Sequence, residues 1–225
     1  RKHLLVGQHE GVPLSLRHIA VLSGWLHLVR VDDLFLLGPW KQTLELAAHI
    51  RSEFAAFCGR NPDMSLSCGL TLTKPKFPLR RSAPLAEQAL DQAKDRTVGD
   101  IQAKDGVSIF GQVLSWEEFR QQMNSAAWLE ERAKDENSGV RTAFLYRMLT
   151  YARQAEAMLK EKKPGEAVSS RNGLYLSHAH YDIARNIMRT EKGDLQNPEE
   201  VAGLVNMVNA AQGAQAFVKN SVALQ

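Results

Sequence analysis

Asp32 and Asp33 stand side by side at the head of the apolar run Leu34-Phe35-Leu36-Leu37. Adjacent carboxylates repel, and burying either one unpaired is costly. A divalent cation bound between them removes both penalties. The pair is therefore the candidate catalytic and metal-binding element of this chain. A second cluster, His178-Ala179-His180-Tyr181-Asp182, offers less. His178 and Asp182 fall four apart on one helix face and His180 points elsewhere, so a metal there needs ligands from other segments. It reads as a structural feature.

The chain around these residues has 225 positions and 44% hydrophobic content, enough for one large domain or two small ones with real cores. A net charge of +3 is mildly basic and compatible with an RNA or nucleotide partner. Runs such as Arg80-Arg81 and Lys160-Glu161-Lys162-Lys163 read as solvated faces. Two cysteines, Cys58 and Cys68, are too few for a disulfide framework, so a reducing, cytoplasmic location is expected. No apolar stretch reaches the roughly 18 residues of a membrane span, no signal peptide is visible, and no membrane partner is expected. The first residue is Arg1, not Met, which suits a part of something longer.

The spacing of Leu16, Ile19, Ala20, Leu22, Leu26 and Val29 predicts a helix over 15–29, followed directly by a strand over 31–37. Leu46, Ile50, Phe54 and Phe57 predict one face of a helix over 41–57, stopped by Gly59 and followed by an Asn61-Pro62-Asp63 turn. Residues 64–73 alternate, with Met64, Leu66, Cys68, Leu70 and Leu72 on a core face. Pro75 and Pro78 hold a loop extended, and Ser82 is placed to cap a helix ending near Lys94. Residues 95–105 read as loop and 107–114 as a strand. Ser115-Trp116-Glu117-Glu118 is a capping box. Helices are predicted over 116–134, 138–162, 173–190 and 198–221, with no strand after residue 114 and a domain boundary near residue 115.

Strand, helix, strand, helix, strand with an acid pair at the first strand is the order of a nucleotidyltransferase palm, shared by polymerases and nucleotide cyclases. The residues resemble one family more closely. "DDLFLLGPW", "NPDMSLSCGLTLTKPKFP", "APLAEQALDQAK", "GVSIFG" and "SWEEF" are similar to the second palm of the large, polymerase-like subunit of type III CRISPR effector complexes, and "KPKFP" and "SWEEF" favour the Csm branch, type III-A. The resemblance spans roughly residues 12–225 and is most specific over 32–119. It implies an α+β fold: a ferredoxin-like nucleotidyltransferase (cyclase/polymerase) palm over 1–115, with segments expected to be missing near 1–31, and an all-helical C-terminal domain over 116–225.

The resemblance also implies a function. Such a palm polymerises ATP into cyclic oligoadenylate when the guide RNA of the complex pairs with a target RNA. Mg2+ or Mn2+ is the implied cofactor, and two metal ions bridge carboxylates and triphosphate. Asp32 and Asp33 match the Asp-Asp of the family's Gly-Gly-Asp-Asp hairpin. Lys94 matches a lysine that the related GGDEF cyclases use toward phosphate, and Ser67 and Lys74 join it as implied nucleotide-binding residues. Lys76 shares the loop of Lys74. Guide RNA, target RNA and the other effector subunits (backbone, small helical and 5′-handle-capping) are the implied partners.

The sequence departs from that pattern at one place. Arg30-Val31 stands where the glycine pair belongs, and glycines there allow a tight turn and close approach to the triphosphate. The helix predicted over 15–29 runs almost directly into the acid pair, so about 20 to 25 family residues are absent, as is the aspartate of the preceding strand. Two alternatives to an active palm therefore stand. One is an inactive scaffold subunit of the same ribonucleoprotein; under either reading Arg141, Arg147, Arg153, Arg185 and Arg189 are candidates to meet phosphate, at least half of them reading as ordinary surface charges. The other is a free-standing GGDEF-like cyclase, disfavoured because Leu34-Phe35, and no glutamate, follows the acid pair.

Overall fold

A computed structural model describes residues 2–8, 26–30, 33–98, 101–102, 104–136, 138–161, 173–187, 198–208 and 214–224. The chain divides into two compact units, Arg1–Arg120 and Gln121–Gln225.

The first unit is built on a six-stranded sheet. Its strands are β1 (Lys2–Gln8), β2 (Leu26–Arg30), β3 (Asp33–Gly38), β4 (Leu66–Leu70), β7 (Gly106–Ile109) and β8 (Gln112–Ser115), and a small hairpin is formed by β5 (Thr97–Val98) and β6 (Ile101–Gln102). Helix α1 (Trp40–Phe57) joins β3 to β4, and α2 (Leu79–Lys94) leads from β4 towards β7. The sheet order is β2-β3-β1-β4-β7-β8. A β3–α1–β4 crossover with β1 between its two strands is the split β–α–β skeleton of a ferredoxin-like palm. The inserted strand runs parallel to both neighbours, where the ferredoxin-like arrangement has it antiparallel. Because β4 and β7 are parallel as well, four strands start at one edge of the sheet, which we term the start edge.

Several expectations are corrected. Leu26–Arg30 is a strand, not the end of a helix, and pairs antiparallel with β3; residues 15–25 lie outside the described residues. Short apolar runs satisfy both periods, and the pairing partner decides between them. The apolar stripe of α1 outruns what the sheet covers: Thr43, Leu46 and Ala47 are buried, while Phe57 is 88% exposed. α1 ends as expected at Gly59 (φ +61), in a Schellman motif where Arg60 N donates to Ala55 O (2.7 Å) and Gly59 N to Ala56 O (3.0 Å).

β4 is buried at all five positions instead of alternating. A Cβ on Gly69 would lie 2.3 Å from Leu90 N and 2.6 Å from Ala86 O, so glycine is what lets α2 lie against the sheet. Cys68 is a fully buried core residue, as expected, and burial pushes its thiol pKa up. Ser82 is inside α2 rather than its cap. The helix starts after Pro78, and the Ser82 hydroxyl bonds back to Pro78 O at 3.4 Å. The single strand expected over 107–114 is a hairpin, β7 to β8. Its connecting residues, Phe110 (φ 51) and Gly111 (φ 77), both take the positive φ of a type I′ turn. Ser115 and Glu118 form the expected capping box reciprocally, at 2.7 and 3.1 Å.

The helices that follow are α3 (Trp116–Lys134), α4 (Thr142–Glu161), α5 (Tyr175–Asn186), α6 (Pro198–Val208) and α7 (Ala214–Asn220), with a final 3-10 turn over Ser221–Leu224. Within the helix expected over 198–221, α6 and α7 are described and residues 209–213 lie outside the described residues. The core of the second unit gathers Leu129, Phe144, Met148, Ile183, Leu204 and Phe217, with Tyr175 stacked on Phe217 at 5.8 Å. Asn220 ties its end together, accepting from Gln122 Nε2 and donating to Met207 O, each at 2.9 Å. Among the described residues no helix is long and apolar enough to cross a membrane.

Asp182 serves this packing. Its Oδ2 accepts from Arg147 Nε (2.8 Å) and Tyr151 OH (2.7 Å), and the Tyr151 and His178 rings lie 5.8 Å apart. Burial first, then the bond to and charge of Asp182, push the Tyr151 pKa from 10.0 up to about 12, against a smaller opposing effect of Arg147. A raised folded-state pKa means the folded chain holds this proton longer. Its contribution to stability is complete below pH 10 and is lost as pH rises through about 12. In an ultraviolet phenolate titration, Tyr151→Phe is expected to remove a late ionisation and Asp182→Asn to bring it earlier; a curve unchanged by both contradicts the assignment.

Candidate functional site

The β2–β3 pairing sets Arg30 opposite Asp33, with Val31 and Asp32 between them in sequence. Asp32 lies outside the described residues, and Asp33 opens β3 at the start edge. Asp33 therefore follows a strand paired antiparallel with its own, where the sequence reading had a helix running into the acid pair. In the parallel ladders Asp33 pairs with His3 and His3 with Ser67, so the three share one row across β3, β1 and β4. Two strand spacings put the backbones of Asp33 and Ser67 about 10 Å apart.

Ser67 does local work at this edge. It is buried, and its hydroxyl accepts from the Asp105 backbone N–H at 3.3 Å. Asp105, a residue that sequence reasoning passed over, is the tie of the start edge. Its Oδ1 accepts from Leu66 N (3.0 Å) and its Oδ2 from Arg51 Nη2 (2.8 Å). The Leu66 carbonyl in turn accepts from Trp116 Nε1 at 2.8 Å. The beginnings of β4, β7 and α3 and the later turns of α1 are thus held together by charge-assisted and buried bonds.

Lys94 is the last residue of α2, and a Cβ on Gly106 at the start of β7 would lie 3.2 Å from Ala93 O, which places Lys94 at the start edge too. It pairs loosely with Asp91 at 3.9 Å. Lys74 is not brought to this group. It lies in the loop leaving the far end of β4, about 13 Å of strand away from the start edge. There Phe77 N donates to Lys74 O (3.0 Å) across a turn whose Lys76 has φ 69. The grouping of Lys74 with Asp33 is therefore corrected: the loop and the acid pair occupy opposite edges.

Among the described residues no group of three or more His, Cys, Asp or Glu is arranged to hold a metal ion. Magnesium keeps several waters and takes one or two carboxylates together with substrate phosphates, and two aspartates adjacent in sequence have the donor chemistry for it. His178 and Asp182 are not a metal site, since Asp182 is engaged by Arg147 and Tyr151. Of the arginines expected to meet phosphate, Arg147 is occupied in the same way, Arg141 donates to Glu136 O, Arg185 donates to Tyr181 OH at 3.3 Å, and Arg189 lies outside the described residues. Arg153 is exposed.

One feature of the start edge was not legible beforehand. A cleft of about 540 Å3 is lined by Arg51, Arg60, Arg96, Lys104 and Arg120, with Asp105 and Glu117 as its carboxylates. The basic residues come from three stretches of sequence, α1 and its end, the segment between α2 and β7, and the start of α3, and only the fold assembles them.

A split β–α–β sheet is the layout of a palm. Residues 31–103 match the model of the Cas10/Cmr2 second palm domain. The chain is 27% identical over 103 residues to the CRISPR system single-strand-specific deoxyribonuclease Cas10/Csm1 (subtype III-A) of Methanocaldococcus jannaschii, covering 43% of this chain and 13% of that protein. It is 39% identical over 64 residues to the protein of the same description from Thermococcus onnurineus, covering 28% of this chain and 8% of the relative. The chain thus spans a small fraction of the length of the curated relatives it matches.

Proposed function

We propose that this chain is part of the large subunit of a type III-A CRISPR effector complex, and that its palm binds ATP with Mg2+ or Mn2+ at Asp32 and Asp33 and builds cyclic oligoadenylate when the guide RNA pairs with a target. The observation that supports this reading is the register of β2 on β3, with Arg30 opposite Asp33, so that the strand carrying Asp33 begins beside the end of its antiparallel neighbour. Bound metal supplies charge neutralisation for the triphosphate and activation of the attacking hydroxyl. The chain's own part is to hold the carboxylates on a hairpin fixed by five paired positions, Leu26 to Arg30 against Leu37 to Asp33. Lys94, at the same edge, suits a phosphate oxygen.

One feature favours a second reading, a docking subunit that does not turn over ATP. Arg30-Val31 stands in the sequence where the family's glycine pair would allow close approach to the triphosphate. The assembled ribonucleoprotein, given ATP, Mg2+ and RNA complementary to the guide, is expected to yield cyclic oligoadenylate, and none without that RNA. An intact complex that makes no product in either arm overturns the enzymatic reading and leaves the docking one.

A further inference from the structure

The cleft at the start edge is lined by five cations and two carboxylates around a cavity of about 540 Å3. Asp105 pairs with Arg51 at 2.8 Å and Glu117 with Arg120 at 2.9 Å, and Arg60, Arg96 and Lys104 add positive charge to the same lining. Arg51 adds a donor. Its Nη2 is on Asp105, but its Nε is buried with no hydrogen-bond partner. A buried donor without a partner is costly, and an anionic oxygen in the cleft would satisfy it.

Backbone conformation points the same way. Arg60 (φ 59) and Asp105 (φ 81) are two of the four non-glycine residues with positive φ among the described residues, and both line this cleft. Such conformations persist where surrounding bonds over-determine them, and they cluster at functional sites. Here the Schellman bonds from Arg60 and Gly59 hold one, and the Leu66, Ser67 and Arg51 bonds hold the other.

The lining offers no exposed aromatic ring on which a base could stack. Its aromatic residue, Trp116, is 7% exposed and its indole N–H is engaged by Leu66 O. Cations distributed along a groove without a stacking platform suit a chain of phosphodiesters better than a single nucleotide.

We propose that this cleft binds the backbone of single-stranded RNA without selecting bases. The cleft shares the start edge with Asp33, but none of its lining residues belongs to the acid pair, so the proposal does not depend on whether the palm turns over ATP. Two sources offer the same chemistry: RNA belonging to the complex, and a growing adenylate oligomer.

The test measures fluorescence anisotropy of the full chain with labelled RNA oligomers of about 12 nucleotides, one of mixed sequence and one all adenylate, over a salt series. The two are expected to bind within about threefold of each other. Arg60→Gln combined with Lys104→Gln is expected to weaken both by about tenfold or more and to flatten the log–log salt slope by about 1.4, the signature of two lost phosphate contacts on a single strand. Binding unchanged in that variant overturns the proposal. A preference of tenfold or more for the adenylate oligomer overturns the backbone-only reading and assigns the cleft to the product chain. Displacement of either oligomer by an equal concentration of ATP overturns it in favour of a nucleotide subsite.

Discussion

Effector complexes carrying Asp32→Ala and Asp33→Ala together are expected to make at least about 100-fold less cyclic oligoadenylate than the parent, with RNA binding retained. The magnitude follows from what the carboxylates do. Magnesium is held by one or two carboxylates and by substrate phosphates, so removing both leaves the ion nothing but the phosphates. The metal's share of transition-state stabilisation is several kcal/mol, and each 1.36 kcal/mol is about tenfold in rate. Groups that act as a unit are not additive, so either single alanine should cost nearly as much as the pair. Product is read by chromatography and complex integrity by sedimentation. Undiminished product from an intact double variant removes these residues from the reaction and, with them, the proposed site.

What the sequence disclosed depended on how local the determinant was. The Ser115–Glu118 box and the Gly59 stop are encoded within a few residues and were legible, because each satisfies its own backbone groups without help from elsewhere. α3 was bounded correctly at Trp116 and Lys134 for the same reason. Leu26–Arg30 was misread because its apolar residues fit a helix as well as a strand until β3 supplies a partner. The Phe110-Gly111 turn was hidden because phenylalanine seldom takes φ 51, so a hairpin looked like one strand. Ser67 was marked for nucleotide, and its polarity was a real signal, but the partner is Asp105 across 38 positions of sequence. The acid pair announced itself by like charges in contact. The basic cleft did not, because Arg51, Arg60, Arg96, Lys104 and Arg120 look like ordinary surface charges until four parallel strands bring them to one edge.

Gly69→Ala is expected to destabilise the palm by at least about 3 kcal/mol, a melting shift of about 10 °C or more for a unit of this size. A single methyl rarely does so much, and the reason lies in what it meets. The added Cβ would sit 2.3 Å from Leu90 N, 2.6 Å from Ala86 O and 2.8 Å from Ala89 C, all backbone atoms of one helix. No side chain can rotate away, so α2 itself must retreat. That helix presents Ala86, Ala89, Leu90 and Ala93 to the sheet, and small residues packed that closely lose contact together when the spacing opens. The same helix delivers Lys94 to the start edge, so its displacement should lower ATP turnover as well as stability. Gly111→Asn is the control: nothing lies within 4 Å of its Cβ position, asparagine tolerates its φ of +77, and the expected cost is below about 1 kcal/mol. Calorimetry of the full chain separates the two. A palm transition that moves equally little in both variants shows that the sheet and α2 are not in the contact on which this account of the fold relies.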